Sequence, residues 1–494
     1  MLSAAIVLSP DFVIAPVRRR TFGSFVEHLG RCVYNGIHEP GHPTADEDGF
    51  RGDVLALTRE LGVTVVRYPG GNFVSGYRWE DGVGPGRPVR RDLAWRGIET
   101  NEVGIDEFAR WAGKAGAEIM YAVNLGTRGV AEALDVHEYL NHPGGTHLSD
   151  RRRANGTPEP HGVRLWCLGN ELDGPWQTGH KTAHEYGRLA AETARALRQA
   201  EPGLELVACG SSHSGMPTFG AWESTVLELT YDQIDHISCH AYYEVLDGDV
   251  GSFLASAVDM DHIIDSVVAT ADAVGARLRS DKRIGLSFDE WNVWYQTRLQ
   301  ADPPTQWRTA APLIEDTYDV TDAVVVGNLL ISLLRHSDRV AVACQAQLVN
   351  VIAPIRTEPG GPAWRQTIFH PFALTARLAR GQVLRTEVTS PVYETARYGD
   401  VPVVDAVATH DPATGGTVVF AVNRHRTEPV ELTVTVPGAV SVAESWTLHD
   451  PDTAATNTAA HPDRVVPRPH PAELADGTLR TVLTPVSWTA VRLA

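Results

Sequence analysis

Two glutamates, Glu171 and Glu290, each stand at the end of a short apolar run. The first run, W-C-L-G at 166–169, ends in Asn170 and Glu171, and the second, I-G-L-S-F-D, ends in Glu290. The two carboxylates are 290 − 171 = 119 residues apart in the chain. Burying a carboxylate costs several kcal/mol unless it is hydrogen-bonded or paired, so strand-end glutamates among apolar residues need a reason. Two such positions indicate a catalytic site.

Paired carboxylates with tryptophan and tyrosine nearby suit the cleavage of a glycosidic bond. One carboxyl group protonates the leaving oxygen, and the other attacks the sugar or guides a water molecule. Aromatic rings stack on the C–H faces of sugars, while Asn, Arg, Gln and His side chains hydrogen-bond to hydroxyl groups. The residue types therefore predict a sugar site that needs no metal and no cofactor.

The elements that must position these residues form an alternating pattern. Helix-like stretches such as 104–116, 183–200, 260–274 and 321–335 separate eight apolar runs, whose lengths fit strands buried on both faces. The runs lie at 21–27, 63–69, 118–124, 163–171, 204–211, 234–242, 284–290 and 342–350. This alternation predicts a (β/α)8 TIM barrel over residues 16–382. A doubly wound sheet is the competing fold, but the Gly-rich turn after the first strand is missing.

Polar residues fall at the carboxyl ends of these runs. In a barrel those ends meet at the mouth that holds the active site, so the pattern predicts that they converge there. They include Glu27, Arg67, Asn124, Asn170, Glu171, Ser211, His240, Tyr242, Glu290, Gln347 and Asn350. Asp289 would point to the opposite face from Glu290 if the strand is regular, which predicts a structural hydrogen bond for it.

After about residue 384 the sequence changes to strand-like alternation with many turn residues. This pattern predicts an all-β sandwich domain over residues 383–494. The N-terminal segment 1–15 contains one or two short apolar stretches and is expected to join the sandwich as a strand.

Composition limits the partners of this chain. The 494 residues carry a formal net charge of −18, which argues against a nucleic-acid or anionic-membrane partner. No run of 18 apolar residues occurs, and no basic residue precedes the apolar part of the amino terminus, so neither a membrane span nor a signal peptide is expected. Five scattered cysteines without a CxxC pair favour a reduced, cytoplasmic protein.

Several long motifs carry a specific resemblance. They are F-G-S-F-V-E-H-L-G-R (22–31), R-Y-P-G-G-N-F-V-S-G-Y-R-W-E-D-G-V-G-P (67–85), W-C-L-G-N-E-L-D-G-P-W-Q-T-G-H-K-T-A (166–183), S-F-D-E-W-N-V-W-Y (287–295) and A-Q-L-V-N-V-I-A-P-I (346–355). In this order they resemble the α-L-arabinofuranosidases of glycoside hydrolase family 51, and the similarity covers essentially the whole chain. The resemblance implies a (β/α)8 barrel with a β-sandwich, and retaining, exo-acting hydrolysis of terminal α-L-arabinofuranosyl residues.

The resemblance also implies roles for individual residues. Glu171 corresponds to the general acid/base and Glu290 to the nucleophile. The arabinosyl ring would be held by Glu27, Arg67, Asn72, Asn170, Tyr242 and Gln347, with Trp95 and Trp294 at the rim. The implied partners are arabino-oligosaccharides or fragments of arabinoxylan and arabinan. A homo-oligomer, often a hexamer, is also implied. The loop 296–319 could alter what fits beyond the first sugar.

Three alternatives remain open or weak at this point. Another retaining barrel glycosidase, such as a β-xylosidase or an endoglucanase, would share the two carboxylates. A sugar-binding protein without activity could have lost either glutamate, yet both are present. H-E-P-G-H at 38–42 has the letters of a zinc-protease motif, but Pro40 and Gly41 break the helix that such a site needs.

Overall fold

The computed structural model describes residues 1–494, and its centre is a closed barrel of eight parallel strands. Each strand pairs in parallel with its two neighbours around the closed ring. In chain order, barrel strands 1 to 8 are Gly23–Phe25, Val65–Tyr68, Glu118–Ala122, Leu165–Leu168, Glu205–Ala208, His236–Tyr243, Gly285–Val293 and Val340–Gln345. The predicted (β/α)8 barrel is confirmed.

Helices follow every strand of the barrel. They are Gly52–Leu61, Ile105–Ala115, Val130–Asn141, His147–Ala154, Ala183–Ala200, Ala221–Thr230, Val250–Leu254, Ala257–Leu278, Gln296–Ala301, Val320–Arg335 and Phe369–Leu378. Local sequence sets several of their ends. Thr182 and Glu185 form a reciprocal capping box before Ala183, and Gly62 ends the first helix with a left-handed φ of 83°. None of these helices is long and apolar enough to cross a lipid bilayer.

The barrel interior is filled by small and branched side chains from alternate strand positions. Val65, Met120, Leu165, Val207 and Val342 pack there together with the two buried thiols of Cys167 and Cys344. The outward-facing positions pack against the surrounding helices in a separate, larger apolar core. The interior is therefore solid, and the site can only lie at an end of the barrel.

The C-terminal segment forms two antiparallel-rich sheets that enclose their own apolar core. The five-stranded sheet has the order Glu387–Thr389, Leu2–Val7, Val430–Thr435, Thr478–Leu483, Ala472–Ala475. The seven-stranded sheet has the order Val13–Pro16, Gln382–Leu384, Val404–His410, Thr417–Asn423, Ser487–Leu493, Val442–Leu448, Arg468–Pro469. The C-terminal all-β domain is thus present.

The N-terminal segment contributes one strand to each sheet. Leu2–Val7 runs parallel to Val430–Thr435, whereas Val13–Pro16 runs antiparallel to Gln382–Leu384. These pairings tie the two ends of the chain together before the first barrel strand begins. The exact division at residues 15/16 and 382/383 stays a prediction.

The two domains share a packed boundary built on the helix Val320–Arg335. The ring of Trp488 lies so close to Gly327 that an added Cβ would stand 2.3 Å from the indole, so only glycine fits there. Next to it, Asn328 donates to Asp405 at 2.7 Å, and Arg424 donates to both of them at 2.8 Å. Burial and this polar network hold the sandwich against the barrel.

Candidate active site

The run W-C-L-G-N-E ends abruptly because the backbone turns at the end of barrel strand 4. The strand stops at Leu168, Gly169 has a φ of 95°, and Glu171 itself has a φ of 44°. A non-glycine residue in the left-handed region is costly and clusters at functional sites. The turn places the buried side chain of Glu171 at the carboxyl-terminal mouth of the barrel.

Barrel strand 7 supplies Glu290 beside an irregularity in its pairing. The register between strands 7 and 8 shifts after Phe288, where pairing resumes only at Trp291. Asp289 and Glu290 are both buried, and both carboxylates reach the guanidinium of Arg67. The expectation that Asp289 points away from the Glu290 side is therefore wrong, because the strand is not regular at this point.

The two glutamates face each other across the mouth. Carboxylate oxygens of Glu171 and Glu290 and a ring nitrogen of His240 all lie within 4.8 Å of one another. Nδ1 of His240 lies 2.9 Å from Oε1 of Glu171 and 3.7 Å from Oε2 of Glu290. The imidazole is thus shared between both carboxylates.

Arg67, from barrel strand 2, ties three site residues together. Its guanidinium donates to Oε1 of Glu290 at 2.6 Å and to Oδ1 of Asn170 at 2.7 Å. Its Nε lies 3.3 Å from Asp289, and its charge stands 4.9 Å from the centre of the Phe25 ring. One fully buried cation therefore fixes strands 4 and 7 relative to each other.

Tyr242, at the end of barrel strand 6, holds the other oxygen of Glu290. Its hydroxyl donates to Oε2 of Glu290 at 2.7 Å. The tyrosine ring packs edge-on against Trp294, with 4.9 Å between ring centres and 83° between planes. With Arg67 on one oxygen and Tyr242 on the other, the Glu290 carboxylate has one orientation.

Glu27, at the end of barrel strand 1, forms a second acidic centre close to the first. Its Oε1 accepts from the Phe73 amide and from Trp95 Nε1, each at 2.9 Å, and its Oε2 accepts from Gln347 Nε2 at 3.1 Å. A Cβ added to Gly71 would stand 3.1 Å from Glu290 and 3.2 Å from Glu27. The glycine backbone therefore passes between the two carboxylates.

All ten residues predicted as site residues meet at this mouth. Asn72 completes the set, since Nδ2 of Asn170 lies 3.3 Å from its Oδ1. Asn72, Tyr242, Trp95 and Trp294 are only partly buried, so they border the open side. Their roles toward a substrate stay predictions.

Three further residues belong to this arrangement, and the sequence gave none of them a catalytic or sugar-binding role. His240 bridges the glutamates, Asp289 lies 3.3 Å from its Nε2, and the indole of Trp176 donates to Oε2 of Glu171 at 2.9 Å. His240 ends an apolar run and Trp176 follows Glu171 by five residues, so both gave a signal in the sequence. The strand irregularity that turns Asp289 inward gave no signal in the sequence.

The charges of the site change the pKa of its groups. Burial raises the pKa of Glu171, and the charge of Glu290 acts in the same direction, while the hydrogen bond to His240 opposes them. Burial alone would lower the pKa of His240, but Glu290, Asp289 and Glu171 raise it to about 10. The site therefore combines a histidine that favours its charged form with a glutamate whose pKa is higher than usual.

Glu27 is the other group with a shifted pKa at the mouth. Its burial raises the pKa to about 8, although the Phe73 amide and the Trp95 indole favour the ionised form. Nearby, burial raises the pKa of Asp92 to about 6, and the backbone amides of residues 94 and 95 bond to this carboxylate. Asp92 thus holds the loop that presents Trp95 to Glu27.

The trio Glu171, His240 and Glu290 has the spacing of a cation site, but its chemistry does not fit one. A metal-bound imidazole must be neutral, whereas these carboxylates favour the protonated ring. Arg67 and Tyr242 already occupy both oxygens of Glu290. The H-E-P-G-H segment lies in a loop without a helix, and both ring nitrogens of His42 bond to Thr44 and Gly361.

A cleft of about 280 Å³ opens beside the mouth. It is bordered by His28 and Trp95 on the barrel side and by the segment 302–313 on the other. Because Trp95 contacts both Glu27 and this cleft, the cleft adjoins the catalytic pair. The loop that the sequence singled out, 296–319, contributes its outer wall.

Comparison with known proteins gives a consistent result. Family models described as "Alpha-L-arabinofuranosidase 1 domain" and "Alpha-L-arabinofuranosidase C-terminal domain" match residues 57–252 and 289–487. An intracellular exo-α-(1→5)-L-arabinofuranosidase of Streptomyces lividans is 61% identical and is aligned over 100% of this chain and 76% of its own. An exo-α-(1→6)-L-arabinofuranosidase of Bifidobacterium longum is 56% identical over 99% of this chain and 97% of its own.

Comparison with solved structures points to the same family as the comparison of sequences. A family 51 α-L-arabinofuranosidase from Bifidobacterium longum superimposes with a TM-score of 0.97 at 51% identity, covering 100% of both chains. The matched domains, the full-length relatives and the shared barrel and sandwich show that this chain belongs to the α-L-arabinofuranosidases of glycoside hydrolase family 51.

Proposed function

We propose that this chain is a retaining exo-α-L-arabinofuranosidase that removes terminal arabinofuranosyl residues by double displacement. The observation that carries the mechanism is the approach of Glu171 and Glu290, whose carboxylate oxygens lie within 4.8 Å of each other. Retaining glycosidases have carboxyl groups about 5–5.5 Å apart, whereas inverting enzymes need about 6.5–9.5 Å to hold a water molecule between them. The short approach favours direct attack.

In the first step Glu290 attacks the anomeric carbon while Glu171 protonates the departing oxygen. The raised pKa of Glu171 favours its protonated form before the reaction. Arg67 and Tyr242 orient the Glu290 carboxylate. The leaving group departs toward the side on which Glu171 lies.

In the second step water releases the sugar from Glu290. Once Glu290 is an ester its charge is gone, so the repulsion that helps to raise the pKa of Glu171 disappears. Glu171 then takes a proton from the attacking water. His240, which contacts both carboxylates, can compensate the negative charge in either step.

The remaining predicted residues are proposed to hold the arabinosyl ring. Glu27 and Gln347 form one hydrogen-bonding wall, and Asn72 and Asn170 form another. Trp95 and Trp294 supply aromatic faces at the rim. Such a set binds sugar hydroxyl groups and C–H surfaces together.

The names of the relatives support arabinofuranosyl substrates but differ in the linkage that is cleaved. One relative is named for α-(1→5) and the other for α-(1→6) linkages, so we propose arabino-oligosaccharides, including fragments of arabinan and arabinoxylan, as substrates. The name of the Streptomyces relative includes "intracellular", which supports a cytoplasmic location here. We also propose a homo-oligomer, expected as a hexamer.

The first experiment compares substrates. Purified protein is assayed with p-nitrophenyl α-L-arabinofuranoside, p-nitrophenyl β-D-xyloside and cello-oligosaccharides, and the first product is followed by proton NMR. We expect the arabinofuranoside to be cleaved fastest with retained anomeric configuration. Faster cleavage of xyloside or glucan, or an inverted product, would contradict the proposal.

A second experiment separates the two glutamates. Glu290→Ala should remove the covalent step, whereas Glu171→Ala should retain activity on substrates whose leaving group needs little protonation. Azide should restore product formation in these variants, with different anomers for the two positions. If Glu171→Ala loses as much on an activated aryl substrate as on a disaccharide, the roles assigned here are wrong.

Assembly is tested separately. Sedimentation velocity at several concentrations should show a single oligomer larger than a dimer. A monomer under all conditions would remove the oligomer from the proposal and leave the catalytic part intact.

A further inference from the structure

A large cavity lies far from the catalytic mouth. It has a volume of about 810 Å³ and is bordered by Phe22 and Thr64, which immediately precede barrel strands 1 and 2. The helix Phe369–Leu378 and Trp446 of the sandwich complete its walls. The cavity therefore opens at the amino-terminal end of the barrel, between the two domains, whereas Glu171 and Glu290 lie at the opposite end.

The charge around this cavity is opposite to that of the whole chain. Four arginines and only one acidic residue border it, although the protein carries a net charge of −18. The acidic residue, Glu60, is paired with Arg365 at 2.5 Å. The bordering arginines are Arg19, Arg59, Arg377 and Arg380.

Three of these four arginines have no carboxylate partner. Arg377 pairs with Glu444 at 2.8 Å. Arg59 donates to the backbone carbonyl of Lys114, and Arg380 donates to carbonyls at the end of its own helix. The side chain of Arg19 makes no hydrogen bond and no ion pair. The cavity rim thus carries positive charge that no acidic side chain neutralises.

The inner wall is apolar, with one unsatisfied polar group. Val17, Ala373 and Leu374 line it together with the half-buried indole of Trp446. His370, only 8% exposed, also lines the cavity, and its buried Nε2 has no hydrogen-bond partner. An unpaired buried polar atom is uncommon in native proteins and calls for a partner.

We propose that this cavity binds a small phosphate ester that carries a ring with hydrogen-bonding atoms, of the size of a nucleoside monophosphate. Arginine is the preferred side chain for phosphate, because its planar fork makes charge-assisted pairs of hydrogen bonds. The exposed guanidinium groups of Arg19, Arg59 and Arg380 would hold the phosphate at the rim. The ring would enter between Trp446 and Leu374 and meet Nε2 of His370.

The size and the chemistry of the cavity agree with this class of ligand. Ligand pockets in proteins typically have about 300–1,000 Å³ and combine apolar walls with a few polar groups. An inorganic anion alone would leave the apolar wall and His370 without a partner, and an uncharged nucleoside would leave the arginines unused. The site lies outside the catalytic machinery, so the inference does not depend on the proposed reaction.

The test is calorimetric titration of the full-length protein with adenosine 5′-monophosphate, adenosine and inorganic phosphate. We expect saturable binding of the monophosphate, one per chain, and at least about tenfold weaker binding of the other two, since each lacks half of the contacts. Raising the salt concentration should weaken binding. Undetectable binding of the monophosphate at millimolar concentration, or phosphate binding as tightly, would overturn the proposal.

Variants locate the binding. Arg19→Gln should weaken the monophosphate about tenfold, whereas Arg480→Gln, an exposed and unpaired arginine on the sandwich, should change it less than about twofold. Ala373→Phe should fill the cavity and abolish binding while the thermal unfolding temperature is kept. Hydrolysis of the aryl arabinofuranoside without added nucleotide should be unchanged in all three variants.

Equal losses of nucleotide affinity in Arg19→Gln and Arg480→Gln, or unchanged affinity in Ala373→Phe, would place the ligand elsewhere. A loss of self-association in Arg19→Gln without nucleotide binding would show that a second copy uses this surface, and would also overturn the proposal.

Discussion

Replacing Arg67 by methionine should destabilise the whole protein in a pH-dependent way. The guanidinium is fully buried and pairs with Glu290 at 2.6 Å and Asp289 at 3.3 Å. Methionine has a similar volume but leaves both carboxylates without this cation. Removing one partner of a buried ion pair typically costs about 3–5 kcal/mol.

The expected change in Tm follows from the size of the protein. Unfolding entropy near 60 °C is about 2.1 cal/mol/K per residue, which gives roughly 1 kcal/mol/K for the 494 residues. A loss of about 3–5 kcal/mol therefore corresponds to a decrease in Tm of about 3–5 °C at neutral pH. The exposed pair Arg188–Glu192 serves as the control, since Arg188→Met should cost less than about 1 kcal/mol.

The sign of the pH dependence comes from Asp289. Burial alone would raise its pKa, but the charge of Arg67 and the contact with His240 lower it below the ordinary value. A carboxylate whose pKa is lower in the folded state stabilises the fold above its unfolded pKa, and this contribution is lost as the pH falls. In Arg67→Met the contribution is absent, so the difference in Tm from the wild type should persist down to about pH 4, the ordinary pKa of an aspartate, and should narrow below it.

Differential scanning calorimetry of wild type, Arg67→Met and Arg188→Met at several pH values measures both effects. If Arg67→Met shifts Tm no more than the surface control, the buried carboxylates do not depend on Arg67. A difference in Tm that stays constant or widens below about pH 4 would refute the assignment of the pH dependence to Asp289.

Three further outcomes are expected. Because Glu171 must be protonated to act as the acid, kcat/KM should fall at alkaline pH, and Glu171→Gln should flatten this alkaline limb for a substrate with a good leaving group. If the limb is unchanged in Glu171→Gln while the chemical step limits kcat/KM, another group is the acid. The indole hydrogen bond of Trp176 lowers the pKa of Glu171, so Trp176→Phe should move the alkaline limb of kcat/KM to higher pH. Because Trp176 is 48% exposed, Tm should not fall, and a limb moved to lower pH would contradict the role of this hydrogen bond. Gln347→Ala leaves Glu27 with one hydrogen-bond donor fewer, so KM for the arabinofuranoside should rise by about five- to tenfold, and an unchanged KM would show that this wall does not hold the sugar.

The fold was predictable because its signals are local. Eight buried runs alternate with amphipathic segments, and polar residues such as Glu27, Arg67 and Gln347 stand where the runs end. Parallel strands in a barrel bring those ends to one mouth whatever the details of the loops. The change to strand-like alternation after residue 384 likewise predicted the β-sandwich domain. These features depend on hydrophobic period and chain direction alone.

The finer structure of the site depends on contacts between distant parts of the chain. Asp289 turns inward because the pairing of barrel strand 7 with strand 8 shifts beside it, and an ideal two-residue period cannot show this. His240 becomes charged only because Asp289, Glu171 and Glu290 surround it. Neither fact could be read from the neighbours of either residue in sequence.

The sequence by itself determined the type of barrel, the family and the pair of glutamates, since these follow from periodicity and from long contiguous motifs. Tertiary structure alone decided the protonation of the site and the cavity at the other end of the barrel. Arg19, Arg59, His370 and Trp446 come from four separate stretches of the chain. Electrostatic coupling and enclosed volume depend on distances in space, and distances in space arise only when the chain has closed into its barrel and packed against its sandwich.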